Sequence, residues 1–421
     1  MARQQARQRR RNLIKTVAVS ILSPLLLAGA VFMVLYSFTD TIMAPPQMLS
    51  SSPLPDEWTM FRRDLTRTGA INPGAPPPQG KLKWSFATGA AIHSSPTVVD
   101  GVVYFGSRDF HLYAVDAETG REKWRFKAGS WVESSPTVVD GIVYFGSNDG
   151  FFYALDARTG HEMWRFRTRF PVKSSPAVAD GRVYFGSDNY SLYCLDARTG
   201  TKLWEYETGG FVLSSPAVAN GIVYFGSMDN HLYALQADNG RFRLRFRAYE
   251  IAGSPAVKDG KVYFTSRYNL YVLDGRARNW PGEGDLRGWW IQFYAFRLAP
   301  SPPPVSGYLW SKLLGSQSFS TPVVTDDAIY TSFNNRLYAV DPDTAEVKWM
   351  FFAGGEIASS PALGSGILYV GSQDGNLYAI STTDGKALWH FATGGEITAS
   401  PALVNGVVYI TSHDGRLYAI E

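Results

Sequence analysis

The fold is decided by one stretch that the chain repeats. Residues Ser134–Phe166 read SSPTVVDGIVYFGSNDGFFYALDARTGHEMWRF, in which Asp-Gly and Thr-Gly turns separate short runs of β-branched and aromatic residues. The proline near its start recurs at intervals of 40, 40, 40, 39, 67, 39 and 40 residues, which makes eight copies, one of them with an insertion. The recurring prolines are Pro96, Pro136, Pro176, Pro216, Pro255, Pro322, Pro361 and Pro401.

Each copy contains four short runs with the composition of β-strands. In the second copy these runs are Val132–Val139, Ile142–Gly146, Phe152–Asp156 and Glu162–Arg167. Asp-Gly between such runs indicates a β-hairpin. Runs such as VVYFGS are apolar on both faces, so each small sheet is expected to be covered on both sides. Four strands per period of about 40 residues are typical of a propeller blade. We predict an all-β, eight-bladed β-propeller of four-stranded antiparallel blades over residues 81–421.

The two ends of the repeat region complement each other. The eighth copy ends at Glu421 after its third strand, and an orphan fourth strand, Leu82–Phe86, precedes the first copy. Trp84 lies 12 residues before Pro96, the same spacing as in the complete copies. The N-terminal strand is therefore predicted to complete the last blade, which leaves neither end as an unprotected edge.

The N-terminal region predicts a membrane anchor. Residues 1–15 form a basic tail, and residues 17–37 contain no charge and are long enough to span a bilayer as a helix. Six basic residues precede this stretch and none follows it before Arg62, which places the N-terminus in the cytoplasm. We predict a single-pass signal anchor at 16–38 in the cytoplasmic (inner) membrane, with the propeller on the periplasmic or extracellular side. The alternative is a cleaved signal peptide, since Ala28–Ala30 resembles a cleavage site.

The stretch between anchor and propeller has the composition of a linker. Residues 39–80 are rich in Pro, Ser and Gly, which predicts a semi-rigid tether. Within it, Trp58–Gly69 is too aromatic for a plain linker and is expected to pack on the body just before the first strand.

Charge and cysteine content exclude several classes of function. The net charge is +3, and removing the six basic groups of the tail leaves 3 − 6 = −3, so nucleic acid is not an expected partner. Cys194 is the one cysteine, so the chain makes no intrachain disulfide and has no cysteine-rich zinc site. It stands where neighbouring repeats have alanine and is expected to be a buried core thiol.

One motif carries a family resemblance. The pattern Ala114-x-Asp116-x-x-Thr119-Gly120-x-x-x-Trp124 resembles the tryptophan-docking motif of pyrroloquinoline-quinone-type (PQQ-like) propeller repeats. The resemblance implies that each tryptophan lodges against the next blade and has a structural role. The tryptophans at this position are Trp84, Trp124, Trp164, Trp204, Trp310, Trp349 and Trp389.

The family resemblance implies two branches of function. In quinoprotein dehydrogenases the ring holds the quinone and a calcium ion, commonly beside a disulfide of adjacent cysteines that this chain cannot make. In non-enzymatic propellers such as the BamB-type assembly factor, loops contact partner proteins, although that type begins with a lipid-modified cysteine that this chain lacks. We expect a scaffold for other envelope or membrane proteins without a cofactor. A PQQ- and calcium-dependent dehydrogenase or a ligand-sensing ectodomain is the alternative.

Individual function is expected where the copies differ. The fourth-to-first strand connections and the second-to-third hairpins share one face, the top face, and the residues just before the Ser-Pro pairs form its rim. The candidate rim residues are His93, Trp131, Glu133, Lys173, Phe211, Glu250, Gln317, Glu356 and Glu396. A solvated rim of mixed charge is expected, and a cation site is the alternative.

The insertion in blade five, at about 275–307, is the second candidate. As a third-to-fourth strand connection it projects from the opposite, bottom face. Its aromatic residues and arginine are of the types enriched in binding hot spots. The candidate partner-binding residues are Trp280, Arg287, Trp289, Trp290, Phe293 and Tyr294. The alternative is that these aromatic side chains fold back onto blade five or plug the channel.

Overall fold

Each copy of the repeat folds as one antiparallel sheet in a computed structural model of the protein. The structure describes residues 57–71, 76–249, 251, 253–315 and 317–421. The predicted basic tail and anchor, residues 1–38, lie outside these ranges. No helix among the described residues is long and apolar enough to cross a membrane.

The strands follow the chain blade by blade. Two strands precede the first complete blade: β1 (Ala70–Ile71) and β2 (Leu82–Ala87). Blades one to four contain β3 (Thr97–Val99), β4 (Val102–Gly106), β5 (His111–Asp116), β6 (Glu122–Lys127); β7 (Thr137–Val139), β8 (Ile142–Gly146), β9 (Phe151–Asp156), β10 (Glu162–Arg167); β11 (Ala177–Ala179), β12 (Arg182–Gly186), β13 (Ser191–Asp196), β14 (Lys202–Glu207); β15 (Ala217–Ala219), β16 (Ile222–Ser227), β17 (His231–Gln236) and β18 (Phe242–Arg247).

The second half of the ring continues this order. Blades five to eight contain β19 (Ala256–Lys258), β20 (Lys261–Thr265), β21 (Asn269–Asp274), β22 (Tyr308–Leu313); β23 (Val323–Val324), β24 (Ile329–Phe333), β25 (Arg336–Val340), β26 (Val347–Phe352); β27 (Ala362–Gly364), β28 (Ile367–Gly371), β29 (Asn376–Ser381), β30 (Ala387–Ala392); β31 (Ala402–Val404), β32 (Val407–Thr411) and β33 (Arg416–Ile420). A single helix among the described residues, α1 (Glu283–Ala295), lies in the insertion.

The N-terminal strand closes the ring. Strand β2 pairs antiparallel with β33, with Leu82 opposite Ile420 and Ala87 opposite Arg416, and the sheet order is β2-β33-β32-β31. The predicted eight-bladed propeller of four-stranded antiparallel blades is therefore confirmed. Blade seven gains a short fifth strand, because β1 pairs in parallel with β27.

The first strand of each blade is shorter than the sequence suggested. In blade two it covers Thr137–Val139 rather than the whole of the predicted run 132–139. The preceding residues bond to other loops instead of to a strand partner: Val132 N donates to Ser107 O, and Ser135 N donates to Ser175 Oγ of the next blade. Pro136 has no N–H for a ladder bond, so it marks the point where the ladder begins.

Repeated hydrogen bonds join most neighbouring blades near the axis. Ser95 N donates to Ser135 Oγ over 2.9 Å, and Ser400 N donates to Ser95 Oγ over 2.8 Å across the closure of the ring. The same bond joins Ser135 to Ser175, Ser175 to Ser215, Ser215 to Ser254, Thr321 to Ser360 and Ser360 to Ser400. The serine pairs of the repeat are thus inter-blade connectors.

The motif tryptophans join the blades farther from the axis. Trp84 Nε1 donates to Ala117 O over 3.0 Å, and its ring lies on Gly120, where a Cβ would come within 2.7 Å of the indole. Equivalent bonds run from Trp124 to Ala157, Trp164 to Ala197, Trp204 to Ala237, Trp349 to Thr382 and Trp389 to Pro78. Trp310 packs on the core shared by blades five and six. Glycine at this position, as at Gly120, suits both the left-handed φ and the ring against it, whereas blade six has Ala345 there with φ 58.

Residues 57–71, the channel segment, lie inside the ring. Thr59 O accepts from Val138 N, Leu65 O from Val218 N and Gly69 O from Leu363 N, which are on the first strands of blades two, four and seven. Trp58, predicted to pack just before the first strand, forms a bridge with Val98 of blade one. The stretch assigned to the tether at 39–80 therefore includes a segment that fills the channel. Its apolar side chains are buried there, and its backbone groups are hydrogen-bonded to the blades.

Two buried arginines fix the channel segment. Arg67 donates from Nε to Pro216 O over 3.0 Å and from Nη2 to Pro176 O over 3.1 Å. Arg62 donates to Pro322 O, and its guanidinium occupies the space where a side chain on Gly69 would be. Burial lowers the pKa of each arginine to about 9, so both remain cations at neutral pH.

Candidate interaction faces of the propeller

The top face has a fixed backbone with variable side chains. Each fourth-to-first connection accepts a hydrogen bond from the hairpin of the blade that it leaves or enters, as when Asn148 N donates to Trp131 O over 2.9 Å and Met228 N donates to Phe211 O over 2.9 Å. The position held by Trp131 is occupied by Ala91 before blade one and by Glu396 before blade eight. Because the backbone bonds recur, substitutions here change the surface without changing the loop.

One side of the top face is covered by exposed aromatic side chains. Trp131 is 43% exposed, Phe211 is 44% exposed and Tyr249 is 67% exposed. This set, the aromatic arc, comprises Phe110, Trp131, Phe170, Tyr190, Phe211, Tyr249, Tyr268 and Phe319. The connections into blades seven and eight carry Glu356 and Glu396 instead. Within the arc the Tyr190 and Phe211 rings lie 5.2 Å apart, and a group of exposed aromatic side chains on one face is characteristic of an interaction site.

Two of the predicted rim residues belong to one polar cluster beside the arc. Arg108 Nε donates to Glu133 Oε1 over 2.7 Å, Asn148 Nδ2 donates to Glu133 Oε2 over 3.0 Å, and the Arg108 guanidinium lies 4.7 Å from the centroid of the Trp131 ring. Burial favours a higher pKa for Glu133, but the hydrogen bonds from Asn148 and Arg108 outweigh it and lower the pKa. The carboxylate therefore holds Arg108 flat against Trp131.

A histidine pair lies on the other side of this cluster. The ring centroids of His93 and His413 are 3.9 Å apart, and Thr398 Oγ1 lies 2.8 Å from His413 Nε2. Burial, then the nearby His413 and Arg108, lower the pKa of His93 to about 4. Burial also lowers the pKa of His413, although Glu396 opposes it from 3.5 Å. Both imidazoles are therefore neutral at neutral pH.

The other predicted rim residues are separate from these clusters. Lys173 pairs with Asp188 at 3.0 Å. Glu356 is half-buried and Gln317 is exposed, and each accepts a backbone hydrogen bond from its hairpin. Glu250 lies outside the described residues.

The rim residues offer no evident donor set for a quinone and a calcium ion. Both oxygens of Glu133 are bonded to Arg108 and Asn148, and Lys173 is paired, so these charges are already compensated. Within the described ranges no three His, Cys, Asp or Glu side chains are close enough to bind one metal ion. Calcium takes six to eight oxygen ligands. The described rim residues therefore do not fit these two groups, and the absence of a cofactor stays a prediction.

The insertion forms an exposed aromatic helix on the bottom face. Its base is fixed because Glu283 accepts from Asn279 Nδ2 over 2.7 Å and from Ser306 N over 2.8 Å. Trp280 and Arg287 are half-buried, whereas the remaining candidates are exposed. Those exposed candidates are Trp289, Trp290, Phe293 and Tyr294. The side chains of α1 thus neither fold back onto blade five nor plug the channel, which the channel segment fills.

A cavity of about 750 Å³ opens on the bottom face where the channel segment begins. It is lined by Glu57 and Thr59 and by the first-to-second strand turns of blades one to three, including Asp100, Asp140 and Asp180. The described chain therefore begins on the same face that carries α1.

Sequence comparison supports the repeat assignment. The sequence matches the family described as outer membrane protein assembly factor BamB over residues 70–171, 152–277 and 306–421. No curated protein sequence matches the chain.

Solved structures share the fold. BamB from Moraxella catarrhalis has a TM-score of 0.65 at 17% identity, covering 81% of this chain and 99% of that one. A europium-containing methanol dehydrogenase has a TM-score of 0.67 at 14% identity, covering 88% and 98%. The quinohemoprotein alcohol dehydrogenase of Comamonas testosteroni has a TM-score of 0.70 at 15% identity, covering 88% and 81%. At these identities the similarity extends to the fold alone.

Proposed function

The chain belongs to the family of the outer membrane protein assembly factor BamB, and from this premise we propose that it is a protein-binding module of the cell envelope. The top face is the surface that receives the partner. An uncleaved signal anchor at 16–38 holds the protein in the cytoplasmic membrane, and the propeller lies on the periplasmic or extracellular side.

The aromatic arc is the observation that carries this proposal. Trp131 and Phe211 are nearly half exposed although they stand on loops with fixed backbones. Aromatic side chains with few rotatable bonds lose little conformational entropy on binding and dominate interface energetics. Arg108, held over Trp131 by Glu133, adds a positioned cation at the edge of the arc. The arc therefore fits a protein segment with apolar side chains.

Site-specific photocrosslinking in the native host tests the proposal. A benzoylphenylalanine residue replaces Trp131 or Phe211 in the full chain, and the control replaces Leu203, which is 47% exposed on the outer strand β14. We expect discrete protein adducts from both top-face positions and none from position 203. Equal adduct patterns from all three positions would contradict the proposal.

The dehydrogenase alternative is tested with the same full chain. Pyrroloquinoline quinone and calcium are added, and dye reduction with alcohols or sugars is measured together with the thermal midpoint. We expect neither dye reduction nor a shift in Tm. Dye reduction that depends on both additions would replace the proposed function with an enzymatic one.

A further inference from the structure

We propose that the blade-five insertion is a second membrane attachment, in which the aromatic side chains of α1 enter the boundary between lipid headgroups and acyl chains. The partner is a phospholipid bilayer surface, the same one that holds the predicted anchor. This goes beyond the protein-binding role of the top face and rests on the anchor of the proposed function, not on the top-face partner.

The surface of α1 is apolar and uncharged over its second half. Residues 288–296 read GWWIQFYAF and contain no charged side chain. Trp289 is 63% exposed, and Phe296, just after the helix, is 74% exposed. Single exposed apolar residues are ordinary, but a consecutive group of this size marks an interaction surface.

The residue types match a lipid interface. Tryptophan and tyrosine concentrate at the level of the headgroups, where an amphipathic ring contacts both apolar and polar surroundings. Trp289, Trp290 and Tyr294 are of this kind, and the exposed Arg276 and Arg297 flank them. Arginine next to apolar groups is favourable at an anionic membrane surface. With 13 residues, α1 is too short to span a bilayer and suits a position along its surface.

The described chain begins on the bottom face. The described chain begins at Glu57, which lines the bottom-face cavity with the turns of Asp100 and Asp140. The predicted anchor ends 57 − 38 = 19 residues earlier, and an extended chain of that length reaches on the order of 60 Å. Because the described chain begins on the face that carries α1, an anchor joined to Glu57 favours that face as the one nearer the bilayer.

The two attachments are on different parts of the bottom face. Glu57 lies by the turns of blades one to three, whereas the insertion is bonded to blade four, where Asn279 N donates to Arg243 O over 3.0 Å and Asn279 Oδ1 accepts from Arg245 N over 2.6 Å. Two separate attachments orient a face, which one tether does not. The bottom face is then held along the bilayer, and the aromatic arc points away from it.

Lipid-dependent quenching tests this orientation. The full chain carries Cys194→Ala, a substitution to the residue found at this position in neighbouring repeats, and Phe293→Cys labelled with an environment-sensitive fluorophore. The protein is reconstituted into vesicles of phosphatidylglycerol and phosphatidylcholine that contain a nitroxide-labelled lipid. The matched control carries the label at Phe211→Cys, because Phe211 has a similar exposure on the top face.

We expect the label at position 293 to lose most of its fluorescence to the nitroxide lipid, while the label at position 211 keeps it. A label at Leu298→Cys should lose that quenching when Trp289→Ser and Trp290→Ser are added, with Tm unchanged because both side chains are exposed. Equal weak quenching at 293 and 211 would overturn the proposal. Protection of the 293 label by an added envelope protein, without quenching by lipid, would overturn it in favour of a protein partner.

Discussion

The two faces of the propeller acquire their exposed aromatic residues in different ways. On the top face, Trp131 and Phe211 replace residues of a loop whose backbone hydrogen bonds recur around the ring. On the bottom face, Trp289 and Phe293 belong to a helix that only blade five has. The top face is a substituted version of the repeat, and the bottom face carries an addition to it. A repeat protein can thus acquire an interaction surface in two ways. It can substitute side chains on loops whose backbone is kept, or it can insert residues into one turn.

Both faces stand on one ring. Among the substitutions considered, Arg67→Ala is expected to lower the stability of this ring the most. The substitution leaves the carbonyls of Pro176 and Pro216 without their donor inside the channel. We expect the free energy of unfolding to fall by about 4 kcal/mol, measured by urea denaturation of the full chain. The exposed Arg121→Ala should change it by less than about 0.5 kcal/mol. Equal effects of the two would mean that the channel segment does not brace the ring.

The top face can be separated from the bottom face by paired substitutions. Trp131→Ser with Phe211→Ser removes two aromatic side chains from the arc, and hot-spot residues each contribute about 2 kcal/mol or more to binding. We expect the photocrosslink from a probe at Phe170 to disappear, with Tm nearly unchanged because both side chains are exposed. Trp289→Ser with Trp290→Ser should leave that crosslink intact. Loss of the crosslink in both variants would mean that the top face and α1 contribute to one binding surface.

The repeat frame itself can be improved where it departs from its pattern. Ala345 takes the position of the motif glycine with φ 58, a left-handed conformation that costs a residue with a Cβ about 1 kcal/mol. Ala345→Gly is therefore expected to raise the free energy of unfolding by that amount. Gly385→Ala should lower it, since a Cβ would come within 2.5 Å of the Trp349 ring. Urea denaturation of both variants measures the difference, and a stabilising Gly385→Ala would contradict the docking role of this position.

Mild acid should affect the histidine pair of the top face. The folded pKa of His93 is about 4, below the ordinary value of about 6.5, so the unfolded chain binds a proton first as the pH falls. The contribution of His93 to the free energy of unfolding is therefore fully present above pH 6.5, and it is lost as the pH falls from that value to about 4. His413, Arg108 and Glu133 face His93 and contribute to this shift.

His93→Gln is expected to reduce the slope of Tm against pH in this window. The exposed His161, on a turn between a third and a fourth strand, provides the control His161→Gln, which should leave the slope as it is. This is the smallest of the expected effects because His93 is partly open to solvent. An identical slope for the protein and His93→Gln would show that the histidine pair does not sense pH.

The repeated part of the molecule could be predicted from the sequence, because every blade states the same pattern again. The spacing of Trp84 to Pro96 was enough to predict that β2 completes the last blade. Most of the aromatic arc was missed because the prediction concentrated on residues just before the Ser-Pro pairs. The signal was visible when the copies were aligned. Phe170 and Tyr249 each lie six residues before the repeat proline, and Tyr190 lies in the hairpin between the second and third strands.

The segments without a repeat were harder to predict. Composition assigned 39–80 to a tether and predicted that Trp58–Gly69 packs on the body, but it did not predict that this segment lies in the channel, where Arg62 and Arg67 bond to carbonyls of different blades. Helix α1 has Gly284 and Gly288 in its sequence, which weaken local helix propensity. Its register depends on contacts with distant residues, such as that of Glu283 with Ser306. Contacts of this kind follow no regular spacing in the sequence, so the sequence alone does not predict them.

The pairing of β2 with β33 determines how late in synthesis the ring can close. More than 300 residues separate the two strands, since Ala87 lies opposite Arg416. At the usual pace of synthesis, about 5–20 residues per second, β2 waits on the order of tens of seconds for its partner. During that interval Leu82 and Trp84 have an open edge, and the ring is a row of blades with two ends. A chain interrupted before β33 would therefore keep the edge of β2 open to pairing with other chains.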